Sequence, residues 1–169
     1  MKAIFKFRSG IAFVFVVTLI FTGSGVDAGK APLFTLEMID GGSYTLADDL
    51  DRHVILLEFW GTCCKTNLSN LKFLEDLQTS YGAKGLKVFA INVDDASARS
   101  RIKPAIRKYG YTFPILLDPA QEVLRKFSPN KIKPSSVIIG RDGQIAMVLE
   151  GDKPGNEKAI TDTIARLME

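Results

Sequence analysis

Residues Val54-Ile55-Leu56-Leu57-Glu58-Phe59 form a short, β-rich apolar run, and behind it Leu68, Leu71, Leu74, Leu77 and Tyr81 recur at helical spacing. A second run, Leu86 to Val93, follows that helix. Strand, helix and strand in this order predict one right-handed parallel crossover. The first run reads as a buried strand, which places the unit at the centre of an α/β sheet. Both cysteines of the chain, Cys63 and Cys64, stand side by side where the first strand gives way to the helix. The first backbone N–H groups of a helix are unpaired and its dipole favours negative charge, so a thiol there is biased towards thiolate. That is the setting of a reactive cysteine.

The flanking segments extend the same pattern. Phe34 to Ile39 and Ser43 to Leu46 alternate around Asp40-Gly41-Gly42, the signature of a β-hairpin. Ala96 to Tyr109 is predicted mainly helical, with Pro104 either kinking the helix or lying near the first turn of a restarted one. Phe113 to Leu117 reads as a strand and Gln121 to Phe127 as a short helix. Ser136 to Ile139 and Gln144 to Glu150 read as an antiparallel pair around Asp142-Gly143, and Glu157 to Met168 as a closing helix. The fold class expected is α/β: a central mixed sheet flanked by helices, with an N-terminal hairpin.

Residues 1–28 carry the marks of a targeting segment. Lys2, Lys6 and Arg8 precede an apolar stretch from Ile11 to Thr22, and Val26-Asp27-Ala28 offers small residues for cleavage before Gly29. The stretch is shorter than the roughly 18 to 20 residues that span a bilayer. A cleaved signal peptide is therefore expected, an uncleaved anchor being the alternative, with residues 29–169 as one domain. The only cysteines are Cys63 and Cys64, so no lipid-bearing cysteine precedes the domain. Export implies an oxidising, periplasmic or otherwise extracytoplasmic compartment. Residues 1–28 hold three bases and one acid, so the formal charge of +3 falls to +1 for the remainder. No basic stripe, repeat or low-complexity tract appears, which argues against a nucleic-acid partner. Contact with a membrane is expected only through an uncleaved N-terminal segment.

The ordered set Phe59-Trp60-Gly61-Thr62, cysteine at a helix start, Gly85 to Asp94, Phe113 to Asp118, Lys133 to Ile139 and Arg141-Asp142-Gly143 resembles the TlpA/ResA branch of the thioredoxin-like, or redoxin, proteins. The resemblance runs from about Ala31 to the C-terminus. Its centre is altered. Members usually carry Phe-Trp-x-x-Trp-Cys-x-x-Cys-x-x-Glu; laid on this chain without a gap, the pattern puts Cys63 at the second Trp and Cys64 at the nucleophile. Asn67 then stands at the resolving cysteine and Asn70 at the Glu. A shifted register, with Cys63 as nucleophile and Thr66 as its partner, needs a deletion. In either register the spaced cysteine pair is missing.

The resemblance implies thiol-disulfide oxidoreductase chemistry, with Cys64 as the redox-active cysteine. Cys63 would be its neighbour in the catalytic site, and Trp60, Lys133 and Pro134 would form the substrate-binding surface. It also implies a cis bond before Pro134 and a proton-handling acid at position 58, where thioredoxins carry Asp. Glu58 is then either a buried base with a raised pKa or an acid that reaches the sheet edge. Lys65 and Lys133 would add positive potential near the thiol. A disulfide staple between neighbours is disfavoured, since adjacent Cα atoms lie about 3.8 Å apart and disulfides usually want roughly 4.4 to 6.8 Å. The sole histidine, His53, precedes the core strand, so neither a metal nor another cofactor is expected. Asn67-Leu68-Ser69 matches a glycosylation acceptor by coincidence, since it lies in a helix.

Two function classes follow. The first is a monothiol thiol-disulfide oxidoreductase that forms mixed disulfides through Cys64 with exported proteins or small-molecule thiols and disulfides. The second is a thioredoxin-fold binding or scaffold protein whose catalytic pair has decayed. A peroxidase has less support, because the Pro-x-x-x-Thr-x-x-Cys approach to the nucleophile is not present. Because Asn67 stands where a resolving thiol belongs, dithiothreitol-driven insulin reduction should be negligible for the wild type and should appear on Asn67→Cys. Wild-type turnover matching that of a dithiol thioredoxin would contradict this and turn attention to Cys63.

Overall fold

A computed structural model describes residues 29–62, 65–107 and 109–169, with the backbone alone at 65–69 and 105. The N-terminal segment 1–28, Cys63 and Cys64 lie outside the described residues. The hairpin consists of β1 (Thr35–Met38) and β2 (Ser43–Thr45), and the crossover unit of β3 (Val54–Trp60), α1 (Lys65–Tyr81) and β4 (Leu86–Asn92). Beyond it come α2 (Arg99–Arg107), β5 (Ile115–Leu117), α3 (Glu122–Phe127), β6 (Ser135–Ile139), β7 (Ile145–Glu150) and α4 (Asn156–Leu167). No helix among the described residues is long and apolar enough to cross a membrane.

The strands form one mixed sheet in the order β2-β1-β5-β4-β3-β6-β7. Strand β3 pairs in parallel with β4 along its whole length and antiparallel with β6, Ile55 opposite Ile139 through Phe59 opposite Ser135. With partners on both edges and helices on both faces, every residue of β3 is buried. That is why its sequence is a continuous apolar run rather than an alternation.

The two faces divide the core by strand periodicity. Val54, Leu56 and Trp60 face Leu71, Leu74 and Leu77 of α1 and Ile160 and Ile164 of α4. On the other side Ile55, Leu57 and Phe59 pack with Phe34, Leu46 and Val123, Leu124 and Phe127 of α3. Glu58 falls between Leu56 and Trp60 on the α1 face, a carboxyl in an apolar layer. The hairpin is held to this body by Tyr44 stacked on Phe89, ring centroids 4.0 Å apart. Nearby, the Asp49 carboxylate accepts from Lys87 Nζ at 2.7 Å and faces His53 Nδ1 at 3.3 Å.

The stretch Ala96 to Tyr109 is mainly helical as read, and of the two readings of Pro104 the restart is excluded: a 3-10 turn, Ala96–Ala98, is capped by Asp95 accepting from Ser97 N at 2.9 Å, and α2 then runs through Pro104. Pro104 has no N–H for the carbonyl of Ser100, and Ser100 is exposed, so the missing bond falls on a solvated face. Strand β5 begins at Ile115 instead of Phe113, since Pro114 has no N–H for the ladder and contributes only its carbonyl, to Ala90 N at 3.2 Å.

Candidate functional site

The site is assembled at the C-terminal end of β3. Helix α1 begins at Lys65, the residue after Cys64, and has no acidic side chain in its first turn to offset the helix dipole. The approach to the cysteines is fixed from β4. Trp60 O accepts from Val93 N at 2.9 Å, and Asp94 Oδ2 accepts from Thr62 N at 2.7 Å and from Asn92 Nδ2 at 3.2 Å. Asn92 is itself buried, and its Oδ1 accepts from Asp94 N at 3.1 Å. Thr62, the last described residue before Cys63, is thereby tied to a rigid strand end.

The second wall comes from β6. The Lys133–Pro134 peptide is cis, as the resemblance implied. Pro134 is buried and Lys133 exposed, and Pro134 O accepts from Gly151 N at 2.8 Å. The antiparallel register then puts Ser135 opposite Phe59 and Ser136 opposite Glu58. Cross-strand partners share a face of the sheet. Accordingly Ser136 Oγ donates to Glu58 Oε2 at 2.5 Å.

Glu58 is therefore a buried acid on an inner strand, and the alternative in which it reaches the sheet edge is excluded by the pairing of β3 on both sides. Its carboxyl lines a cavity of about 400 Å³ with Asn70, Pro134, Ser136, Asp152 and Asn156. Burial raises its pKa to about 7 against the pull of the Ser136 hydroxyl and of Asn70, and the negative charge of Asp152 adds to the rise. Asn70 stands near enough to favour the charged form, yet Oε1 is left without a hydrogen bond. A carboxylate with one bare oxygen in an apolar layer is costly; a protonated carboxyl is less so.

Of the residues singled out from sequence, Glu58 and Pro134 line one cavity, and Lys133 lines an adjoining cleft with Thr62. Cys64 and Cys63 lie outside the described residues. Trp60 is corrected: its side chain is fully buried in the core with Leu71 and Leu74, so it shapes the layer beneath the turn and offers no surface to a substrate. Sequence reasoning missed Asp94 and Ser136. Asn92-Val93-Asp94 at a strand end was a readable signal for the first; nothing local marked Ser136 as the partner of an acid 78 positions away.

These features are those of the thioredoxin-like fold: a mixed sheet, a strand-to-helix turn and a cis-proline at the start of the next strand. The AhpC/TSA family pattern matches residues 28–148, and the chain belongs to that family. The thiol-disulfide oxidoreductase ResA of Bacillus subtilis is 28% identical over 153 residues, covering 85% of this chain and 83% of that one. ResA of Bacillus anthracis is 27% identical over 124 residues, 73% of this chain and 69% of the other. Among solved structures, a candidate DsbE-type thiol:disulfide interchange protein from Chlorobium tepidum superposes with a TM-score of 0.75 at 25% identity, over 86% of this chain and all of that one. The chain is thus a TlpA/ResA-like member of the redoxins.

The raised pKa of Glu58 has a sign that can be measured. Between the ordinary value of 4.5 and about 7 the folded state holds a proton that the unfolded state releases. Stability from this group is fully present below about 4.5 and is lost as pH rises through about 7. Relative to Glu58→Gln, the wild type should lose up to about 3 kcal/mol across that window, read by urea denaturation at pH 4.5 and pH 8. Parallel profiles would show that Glu58 carries no such shift.

Proposed function

We propose that this chain is an extracytoplasmic thiol-disulfide oxidoreductase of monothiol type that forms mixed disulfides through Cys64. Supporting it above all is the start of α1 at the residue after Cys64, with Asn67 in place of a second thiol. A helix N-terminus without acidic residues in its first turn stabilises thiolate. In the first step the Cys64 thiolate attacks one sulfur of a substrate disulfide. A new S–S bond to Cys64 forms, the substrate's bond breaks, and the displaced thiolate takes a proton. The missing resolving thiol requires an external thiolate to attack the mixed disulfide, releasing Cys64 and leaving the incoming sulfur on the substrate. This is exchange, without net oxidation.

Glu58 sets the protonation balance of this site. An ionised acid about 6 Å from the thiolate would oppose it by roughly 2 to 3 kcal/mol at an effective dielectric of about 20, more than the helix end supplies. With a pKa of about 7, Glu58 is half protonated at neutral pH. Its protonated form removes that opposition and holds a proton that can be returned to a departing thiolate. Pro134, at the head of β6, and exposed Lys133 form the substrate-binding side. Residues 1–28 are read as the export signal, or as an uncleaved anchor, for a domain of residues 29–169; the partners are exported proteins or small-molecule thiols and disulfides.

Iodoacetamide alkylation at neutral pH separates this reading from a decayed scaffold. Fast modification confined to Cys64, with a pH midpoint below about 8.5 and unchanged in Cys63→Ser, is expected. Slow modification of both cysteines would favour the scaffold. Loss of the fast phase in Cys63→Ser, with Cys64→Ser unaffected, would assign the nucleophile to Cys63.

A further inference from the structure

One oxygen of the Glu58 carboxyl, Oε1, has no hydrogen-bond partner, although the residue is only 2% exposed. The carboxyl lies at the inner end of a cavity of about 400 Å³, walled by α1, by the start of β6 and by residues 151–157. That volume falls within the range of small-molecule sites, about 300 to 1,000 Å³. The side-chain donors at hand are spent: Ser136 Oγ on Glu58 Oε2 at 2.5 Å, and Asn156 Nδ2 on Gly151 O at 2.8 Å. Toward solvent stand the exposed Asp152, Lys153 and Glu157. Among the described residues that line it, the cavity thus holds three acids and one base, and neither Asp152 nor Glu157 makes an ion pair with a described residue. Half-buried Phe73 and buried Ile160 supply an apolar wall.

We propose that this cavity receives an alkylguanidinium group, free or as the head of an arginine side chain, which gives an N–H donor to Glu58 Oε1. A bare buried carboxyl oxygen is satisfied either by a proton of its own or by a donor brought from outside. The negative potential of Asp152 and Glu157 favours a cationic donor over a neutral one. Guanidinium suits these walls better than ammonium: it is planar and more weakly hydrated, it carries its donors in a fixed fork, and its face can pack on the Phe73 ring. Proton and guanidinium compete for the same oxygen, so the cation selects the ionised form of Glu58 and displaces the proton. That proton is held until about pH 7, and the site opens to the cation as pH rises through neutrality. Ser136 and Asn70 also favour the ionised form, while Lys153 opposes the cation from the solvent-exposed rim. No thiol takes part, so the site stands or falls apart from the chemistry of Cys64.

The test titrates the full chain with methylguanidinium chloride at constant ionic strength, below concentrations that unfold it, and follows the backbone amide NMR signals of Ser136, Gly151 and Asn156. The dissociation constant should be about tenfold lower at pH 8 than at pH 6, the ratio of ionised fractions for a group with a pKa of about 7. Methylurea, with a similar planar shape and N–H donors but no charge, should bind roughly tenfold more weakly at pH 8. Glu58→Gln should remove the pH dependence and weaken binding about tenfold, and Asp152→Asn should weaken it about threefold. Equal affinity at the two pH values, undiminished binding to Glu58→Gln, or methylurea matching methylguanidinium would each overturn the site. A blocked Gly-Arg-Gly peptide separates the two sources of the group. Tighter binding than methylguanidinium assigns the cavity to an arginine side chain of a peptide, and equal or weaker binding assigns it to a free alkylguanidine. Slow alkylation of Cys64 would overturn the thiol reading and leave these results untouched.

Discussion

Strand β3 is paired along its whole length with β4 and over five residues with β6, and this two-sided pairing sets the rest of the molecule in place. It forces the strand to be apolar on both faces, which builds the two core layers at once. It fixes the strand's C-terminal end, from which the chain runs on to both cysteines. The register with β6 sets the cis-proline segment beside that end, and the register with β4 supplies Asp94 to hold Thr62. A slip of one residue against β6 would turn every side chain to the other face and separate Glu58 from Ser136.

The pairing also gives Glu58 its chemistry. An acid at this position on an edge strand would be solvated and ordinary. On an inner strand, between Leu56 and Trp60, it has one hydroxyl donor and one bare oxygen, and its proton is held until about neutral pH. The usual family pattern carries Glu at the position of Asn70, on α1. In this chain the carboxyl is on the strand and the amide on the helix, and both face one cavity. Position 67, where the family pattern places a second cysteine, is Asn in this chain.

Much of this was legible in the sequence, for identifiable reasons. The unbroken apolar run 54–59 announced a strand covered on both faces, and the leucine spacing announced α1, because both signals are local and periodic. Asp40-Gly41-Gly42 marked the hairpin, and Asp142-Gly143 the turn in which Gly143 adopts a φ of 73°. Other features depend on contacts between distant segments. Whether Glu58 was buried or at an edge required the strand order, which no local pattern carries. The cavity over Glu58 draws Asp152 and Asn156 from beyond β7, and the cleft beside Thr62 draws Arg101 and Lys133 from α2 and the β6 approach. Trp60 looked like a site residue because of its motif; its burial was decided by α1 packing over it.

The central claim is that the proton-holding group of this site is the strand-borne acid. Carbon-13 NMR of the glutamate side-chain carboxyls, with Glu58→Gln used to assign the Glu58 signal, observes it directly. The account predicts a single Glu58 titration with a midpoint near 7, displaced by alkylation of Cys64. A midpoint near the ordinary value of 4.5, indifferent to the state of the thiol, would contradict it.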